Sequence, residues 1–147
     1  MSIEAIMSKK VVVTSADATL ASLRNIFTQA HYQHVPVVDS LQCVVGIVSV
    51  KDFYKAMSPV IDSASEQTAE LFAQGRKVRS IMTSPVVCVR PDTPVVRAAA
   101  MLIERNISCL LVTTTQNKLL GIVSWKDIMR LIVQRQQAKR RQQEEEE

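Results

Sequence analysis

The sequence predicts a mixed α+β fold made of two copies of one β-α-β-β-α unit, packed as a pseudo-twofold intramolecular pair. Three observations carry this. First, GIVSVKD at residues 46–52 returns as GIVSWKD at 121–127, six of seven letters alike and 75 positions on. The same offset pairs Ile6-Met7 with Ile81-Met82, Val11-Val12 with Val86-Val87, Asp17 with Asp92 and Val37 with Val112, so the chain reads as an internal duplication. Second, in each copy short β-branched runs alternate with stretches of helical spacing. Third, the runs are nearly all apolar and call for cover on both faces. One unit of about 50 residues buries too little surface to provide it alone.

The first copy, residues 1–57, opens with a strand at VVVT, 11–14. A helix follows, with Leu20, Leu23, Ile26, Phe27 and Ala30 at helical spacing. Two apolar strands come next, HVPVVD and CVVGIVS, and a last helix starts near Lys51. The second copy, residues 81–133, repeats the plan with a strand at VVCV, 86–89. Its first helix is introduced by Asp92-Thr93-Pro94, where proline's missing N–H is harmless. The strands SCLLVTT and KLLGIVS then lead to a helix near Lys126. Residues 58–80 read as a helical connector, capped by Ser65, running to about Gln74 and stopped by Gly75. After Val133 the chain turns polar. Four glutamates at its end oppose the helix dipole, so residues 134–147 read as a frayed tail.

Composition narrows the function classes. Apolar residues make up 47% and charged residues 22%, ordinary for a globular protein. No run approaches the roughly 20 apolar residues of a membrane span, and MSIEAIMSKK does not resemble a signal peptide. Cys43, Cys88 and Cys109 are odd in number and form no CxxC, so they read as reduced core thiols of a cytoplasmic protein. The net charge of +4 is modest; it suits anionic small molecules as well as nucleic acid and decides neither. The one basic run, Lys139 to Arg141, is followed by Glu144 to Glu147 and has no aromatic interleaving, which argues against nucleic acid. No GxSxG, Cys/His set or P-loop appears, so no catalytic residue is assigned. His31 and His34 lie three apart, but no carboxylate or cysteine completes a metal set with them. Trp125, beside Ser124, reads as either a base-stacking or a packing residue, and its repeat partner Val50 favours packing.

The repeated stretch supports two readings. Ser49 with Asp52, and Ser124 with Asp127, have the form of a capping box ahead of an apolar run. The same turn can also bind a ligand. A helix start offers unpaired N–H groups and partial positive charge to a phosphate. The serine hydroxyl donates to phosphate, the aspartate accepts from a ribose diol, and Lys51 and Lys126 add positive charge. The chain has only three glycines, and two of them, Gly46 and Gly121, sit in these stretches, where backbone or ligand approaches closely. Duplication then lines one cleft with two such turns.

Two tandem units, each ending G-h-V-S-x-K-D-h (h apolar), resemble a pair of CBS domains, the cystathionine-β-synthase-type repeat of Bateman modules. IMTSPVVCVRPDTPVVRAAAMLIERNISCLLV and HVPVVD resemble other parts of that family's pattern. The resemblance spans about residues 3–133. It implies a regulatory module with no required cofactor, sensing an adenosine-containing ligand (AMP, ADP, ATP or S-adenosylmethionine) in the cleft between the repeats. It also implies a homodimer, and output through self-association or an unidentified protein partner. By position, Asp52 and Asp127 match the ribose-binding aspartate, and Ser49 and Ser124 the serine or threonine at phosphate or ribose. His34 matches a position often basic and turned to phosphate. The family's adenine contacts, mainly backbone and apolar, fall near Val13, Val35 and Val87. The second copy departs from the first, with Cys109 in place of His34 and Leu111 in place of Pro36. The alternative is a structural assembly module in which both turns only cap helices.

Overall fold

The computed structural model describes residues 1–29, 31–61 and 65–147. Ala30 of the predicted first helix and Asp62, Ser63 and Ala64 of the connector lie outside the described residues. In chain order the elements are α1 (Leu20–Gln29), β1 (His34–Val38), β2 (Val44–Ser49), α2 (Val50–Ile61), α3 (Glu66–Gly75), β3 (Cys88–Val89), α4 (Val95–Arg105), β4 (Cys109–Thr113), β5 (Leu119–Ser124) and α5 (Trp125–Glu146). Among the described residues this is the predicted mixed fold, with five α-helices and two small sheets.

The chain divides into two compact units, which we call the N-unit (Lys10–Val86 with Gln116–Leu119) and the C-unit (Met1–Lys9, Val87–Thr115 and Leu120–Glu147). The units do not follow the repeats. Each joins the body of one repeat to the opening segment of the other.

In the N-unit, β1 and β2 form an antiparallel hairpin with Val35 opposite Val48 and Val37 opposite Gly46. The Asp39 carboxylate closes its turn by accepting from the amides of Leu41 (2.9 Å) and Cys43 (3.0 Å). Gln42 and its repeat partner Asn117 both take positive φ, at 67° and 65°, one in each hairpin. Leu20, Leu23, Val35, Val37, Val48, Phe53 and Met57 make the core. Ser65 caps α3 as predicted, accepting from Thr68 N at 3.2 Å. Gly75 is the last residue of that helix.

The C-unit holds the three-stranded sheet β3-β4-β5 and its own core of Ile3, Val89, Ala98, Leu102, Leu110, Val112, Val123 and Ile128. Pro94 stands at the entry of α4 and Asn106 ends that helix in the left-handed region, at φ 52°.

The expected first strands differ between the units, and Pro36 explains why. VVCV yields β3, whose residues Cys88 and Val89 pair in parallel with Leu111 and Val112. VVVT yields only one parallel bridge, Thr14 to Val37, with Thr14 N on Pro36 O (3.0 Å) and Val38 N on Thr14 O (2.9 Å). Extending that ladder back to Val12 needs the N–H of residue 36, which proline lacks. In the C-unit residue 111 is leucine, and its N–H reaches Val87 O at 3.4 Å.

The tail also differs from expectation. Helix α5 continues to Glu146. Its Gln, Arg, Lys, Ala and Glu residues are good helix formers, and no Gly or Pro interrupts them. Trp125 is half exposed rather than packed, with the Lys126 ammonium 5.9 Å from its ring centroid. The three thiols are free, with Cys109 buried and Cys43 and Cys88 half-buried. Among the described residues no helix is long and apolar enough to cross a membrane.

Gly46 and Gly121 are where the opening segments land. Ser8 exchanges two backbone hydrogen bonds with Ile122, at 2.9 and 3.0 Å, and Thr83 does the same with Ile47, at 2.8 and 3.0 Å. A Cβ on Gly121 would lie 2.7 Å from Ser8 O and 2.9 Å from Met7 Sδ. A Cβ on Gly46 would meet Met82 Sδ at 2.7 Å and Thr83 O only at 3.1 Å. Neither glycine has positive φ, so room for the crossing segment explains both. A methionine tip moves more easily than a hydrogen-bonded backbone carbonyl. We predict that Gly121→Ala costs about 2–3 kcal/mol of unfolding free energy and Gly46→Ala about 1, within the range for overpacking. Denaturant unfolding of the two variants checks the order, and equal or negligible losses would contradict it.

Candidate functional site at the strand-to-helix corners

Each repeated stretch forms a sharp corner from strand to helix, at β2–α2 in the N-unit and β5–α5 in the C-unit. The capping box is present at both. Ser49 N donates to Asp52 Oδ2 at 3.1 Å, and Asp52 N donates to Ser49 Oγ at 3.0 Å. At the second corner the matching distances are 2.8 and 3.4 Å, and Ser124 Oγ also donates to Asp127 Oδ2 at 3.1 Å. Each aspartate carboxylate therefore satisfies the amide of its serine, each serine oxygen satisfies the amide of its aspartate, and both carboxylates sit against the positive end of a helix. The amides of the first helical residues are used as well. Val50 N bonds Gln33 O at 2.9 Å, and Trp125 N bonds Ser108 O at 3.2 Å. Backbone pairing thus engages the first helical amide and capping the third, and the amide between them belongs to Lys51 or Lys126, whose side chains are exposed.

The N-unit corner gathers most of the residues singled out in the sequence. His34 begins β1 and lies opposite Ser49 in the hairpin register. Burial pushes the His34 pKa below its ordinary 6.5, and the nearby Asp52 charge partly offsets this. Val35 is fully buried, backbone as well as side chain, opposite Val48 in the hairpin. Val13 is half-buried in the stretch left outside a strand.

The C-unit corner differs at three points. Cys109 holds the place of His34, buried, with its thiol pushed up to about 12 by burial, so it stays neutral. Val87 is half-buried and its carbonyl is engaged by Leu111 N. Arg130 Nη1 holds Asp127 Oδ1 at 3.1 Å, while the Asp127 side chain is only 12% exposed. The sequence reading did not pick out Arg130. Its signal was the Asp-x-x-Arg spacing, which sets the two groups on one helix face. The first repeat has Lys55 at the equivalent position.

A CBS domain family profile matches the chain twice, at residues 3–59 and 78–134. A homoserine O-acetyltransferase of Methanococcoides burtonii is 31% identical over 131 residues, 89% of this chain and 24% of the relative. An inosine-5′-monophosphate dehydrogenase of Methanocaldococcus jannaschii is 25% identical over 85% of this chain and 22% of its own length. The chain thus spans about a quarter of these enzymes. A CBS domain-containing protein of Dictyostelium discoideum matches over 90% of this chain and 91% of itself at 28% identity. Among solved structures, the CBS domain pair of protein MJ0100, in complex with 5′-methylthioadenosine and S-adenosyl-L-methionine, has a TM-score of 0.76 and 25% identity, covering 92% of this chain and 98% of that one. CBSX2 in complex with AMP has a TM-score of 0.77 at 22% identity, covering 92% and 98%, and carries the fold alone.

The His34 pKa sets a pH dependence. Its folded value lies below its unfolded value, so the unfolded chain binds the proton more readily. Stability is therefore full above about pH 6.5 and declines as the pH falls below it. Thermal melts from pH 7.5 to 5.5 should show this decline in the native chain and a smaller one in His34→Gln. An identical pH profile in the two proteins would contradict the assignment.

Proposed function

Because the chain belongs to the CBS domain family, with one copy of the domain at residues 3–59 and another at 78–134, we propose that it is a regulatory module that binds an adenosine-containing ligand at its strand-to-helix corners. It is a binding module in the cytoplasm, without catalytic residues, and a protein partner or self-association carries the output. The observation that supports this best is the convergence of His34, Ser49 and Asp52 on one corner. The MJ0100 domain pair, with its adenosine-derived ligands, points to the ligand class.

In this reading the ribose diol donates to Asp52 and Asp127, and the lysines with the helix-start amide take phosphate. A carboxylate offers about four acceptor positions. Ser124 N, Ser124 Oγ and Arg130 already donate to Asp127, whereas at Asp52 the capping bond comes from Ser49 N. The Asp52 corner is therefore the stronger site. His34 gains a proton as phosphate arrives, since an adjacent anion favours the charged imidazole.

The closed capping boxes favour one other reading, an assembly module whose aspartates only cap. Exposed Tyr54 and Ile61 on one side of α2 leave apolar surface for a homodimer in either case.

Thermal melts with AMP, ADP, ATP and S-adenosylmethionine separate the two readings. A ligand at 100 times its dissociation constant stabilises by about 2.7 kcal/mol, roughly 5–10 °C for a domain of this size. Asp52→Asn keeps an acceptor for the cap and removes the charge. We expect it to weaken binding roughly 10- to 150-fold, with Asp127→Asn weakening it less. No shift with any ligand would leave the assembly reading, and a shift untouched by either substitution would remove the corners as the site.

A further inference from the structure

We infer that Ser80 is a phosphoacceptor: a basic-directed protein kinase phosphorylates its hydroxyl, and cations of the same turn then hold the phosphate. Ser80 ends the 3-10 turn Val78–Ser80 in the N-unit, where the second repeat opens. The serine is exposed, while Val78 of the same turn is fully buried. Backbone bonds from Val78 N to Ala18 O (2.8 Å) and from Arg79 N to Ala16 O (3.0 Å) fix the turn.

The hydroxyl stands in surroundings suited to a phosphate. Arg76 Nε donates to Ser80 Oγ at 3.1 Å. The Arg76 guanidinium carbon lies 5.7 Å from the centroid of the Phe72 ring, which steadies it. Among the described residues Arg76 pairs with no carboxylate, and Lys77 and Arg79 share the single carboxylate of Asp17. Three cations thus face one acid, an excess of two positive charges. A phosphoserine carries about −1.5 to −2 at pH 7, close to what neutrality there requires.

The duplication shows that the fold does not need this chemistry. The first repeat opens with the same 3-10 turn, Ile3–Ala5. Its bonds are the equivalent ones, Ile3 N to Thr93 O at 2.9 Å and Glu4 N to Pro91 O at 3.2 Å. Yet Met1, Ser2, Glu4 and Ala5 hold the places of Arg76, Lys77, Arg79 and Ser80. That turn forms with neither a cation nor a hydroxyl at its last position.

Cations four, three and one positions before the serine are a charge pattern by which basic-directed kinases choose substrates. In the reaction Ser80 Oγ bonds to the γ-phosphorus of ATP. The bond from that phosphorus to its bridging oxygen breaks, ADP leaves, and the hydroxyl proton passes to the catalytic carboxylate of the kinase. The hydrogen bond from Ser80 Oγ to Lys77 O, at 2.7 Å, is lost. Charge-assisted bonds from Arg76 to the phosphate, roughly twice as strong as neutral ones, take its place. The segment tied down this way runs on to Thr83, whose two backbone bonds hold Ile47 of β2.

No residue of either corner takes part, so the inference stands apart from the ligand reading. The full chain is incubated with magnesium-ATP and the catalytic subunit of cyclic-AMP-dependent protein kinase, and phosphate is mapped by mass spectrometry. We expect Ser80 to be modified roughly tenfold faster than any other hydroxyl, and roughly tenfold more slowly when Arg76→Gln and Lys77→Gln are combined. Phosphorus NMR of the product should place the second phosphate ionisation below its usual value of about 6. In phosphorylated Arg76→Gln it should rise back, because a neighbouring cation favours the dianion. A chain left bare at Ser80, equal rates in the native and doubly substituted chains, or an ionisation unmoved by Arg76→Gln would overturn the proposal.

Discussion

The structure depends on two close backbone approaches. At each, the Ile-Met-Ser/Thr segment that opens one repeat crosses the penultimate turn of strand in the other, and only glycine leaves room for it. The glycine lies three residues before the serine of the corner. The hydrogen bonds that hold Ser8 on Ile122 and Thr83 on Ile47 therefore fix the strand whose end presents the capping box. Neither compact unit is complete without a segment from the other end of the sequence duplication. This couples the repeats energetically, as burial requirements for units of this size demand.

The duplication, the order of elements and both capping boxes were legible in the sequence, because each rests on local signals: a fixed offset, apolar periodicity, and serine three residues before aspartate. Which repeat receives each opening segment was not legible. The offset aligns Met7 with Met82 but does not say that Met82 lies on Gly46 and Met7 on Gly121. VVVT was read as a strand because β-branched residues favour one. Its failure to become one lies in Pro36, more than twenty residues on, and becomes visible only once the parallel register is known. The frayed tail was argued from the dipole of its last residues, and good helix formers along the whole segment outweigh that local term.

At the candidate site, His34, Ser49 and Asp52 were found from the sequence and meet at one corner. The physical content of that corner is richer than the motif. A carboxylate that caps a helix is also held rigid, desolvated in part and aimed, which are the properties a ribose acceptor needs. The two roles compete only for lone pairs, and here the repeats have diverged. Asp127 spends more of its capacity inside the protein than Asp52 does, through Ser124 Oγ and Arg130. Cys109 has replaced the imidazole with a thiol that stays neutral. The N-unit and C-unit corners are thus duplicates in backbone and unequal in chemistry.

The most direct test of this account is a crystal structure of the chain grown with saturating AMP. The account predicts that the ribose 2′- and 3′-hydroxyls lie about 2.6–3.0 Å from the Asp52 carboxylate, with the Ser49–Asp52 capping bonds intact and the phosphate near Lys51 and His34. AMP bound with its ribose away from both aspartates would contradict it, as would AMP absent from both corners at saturation.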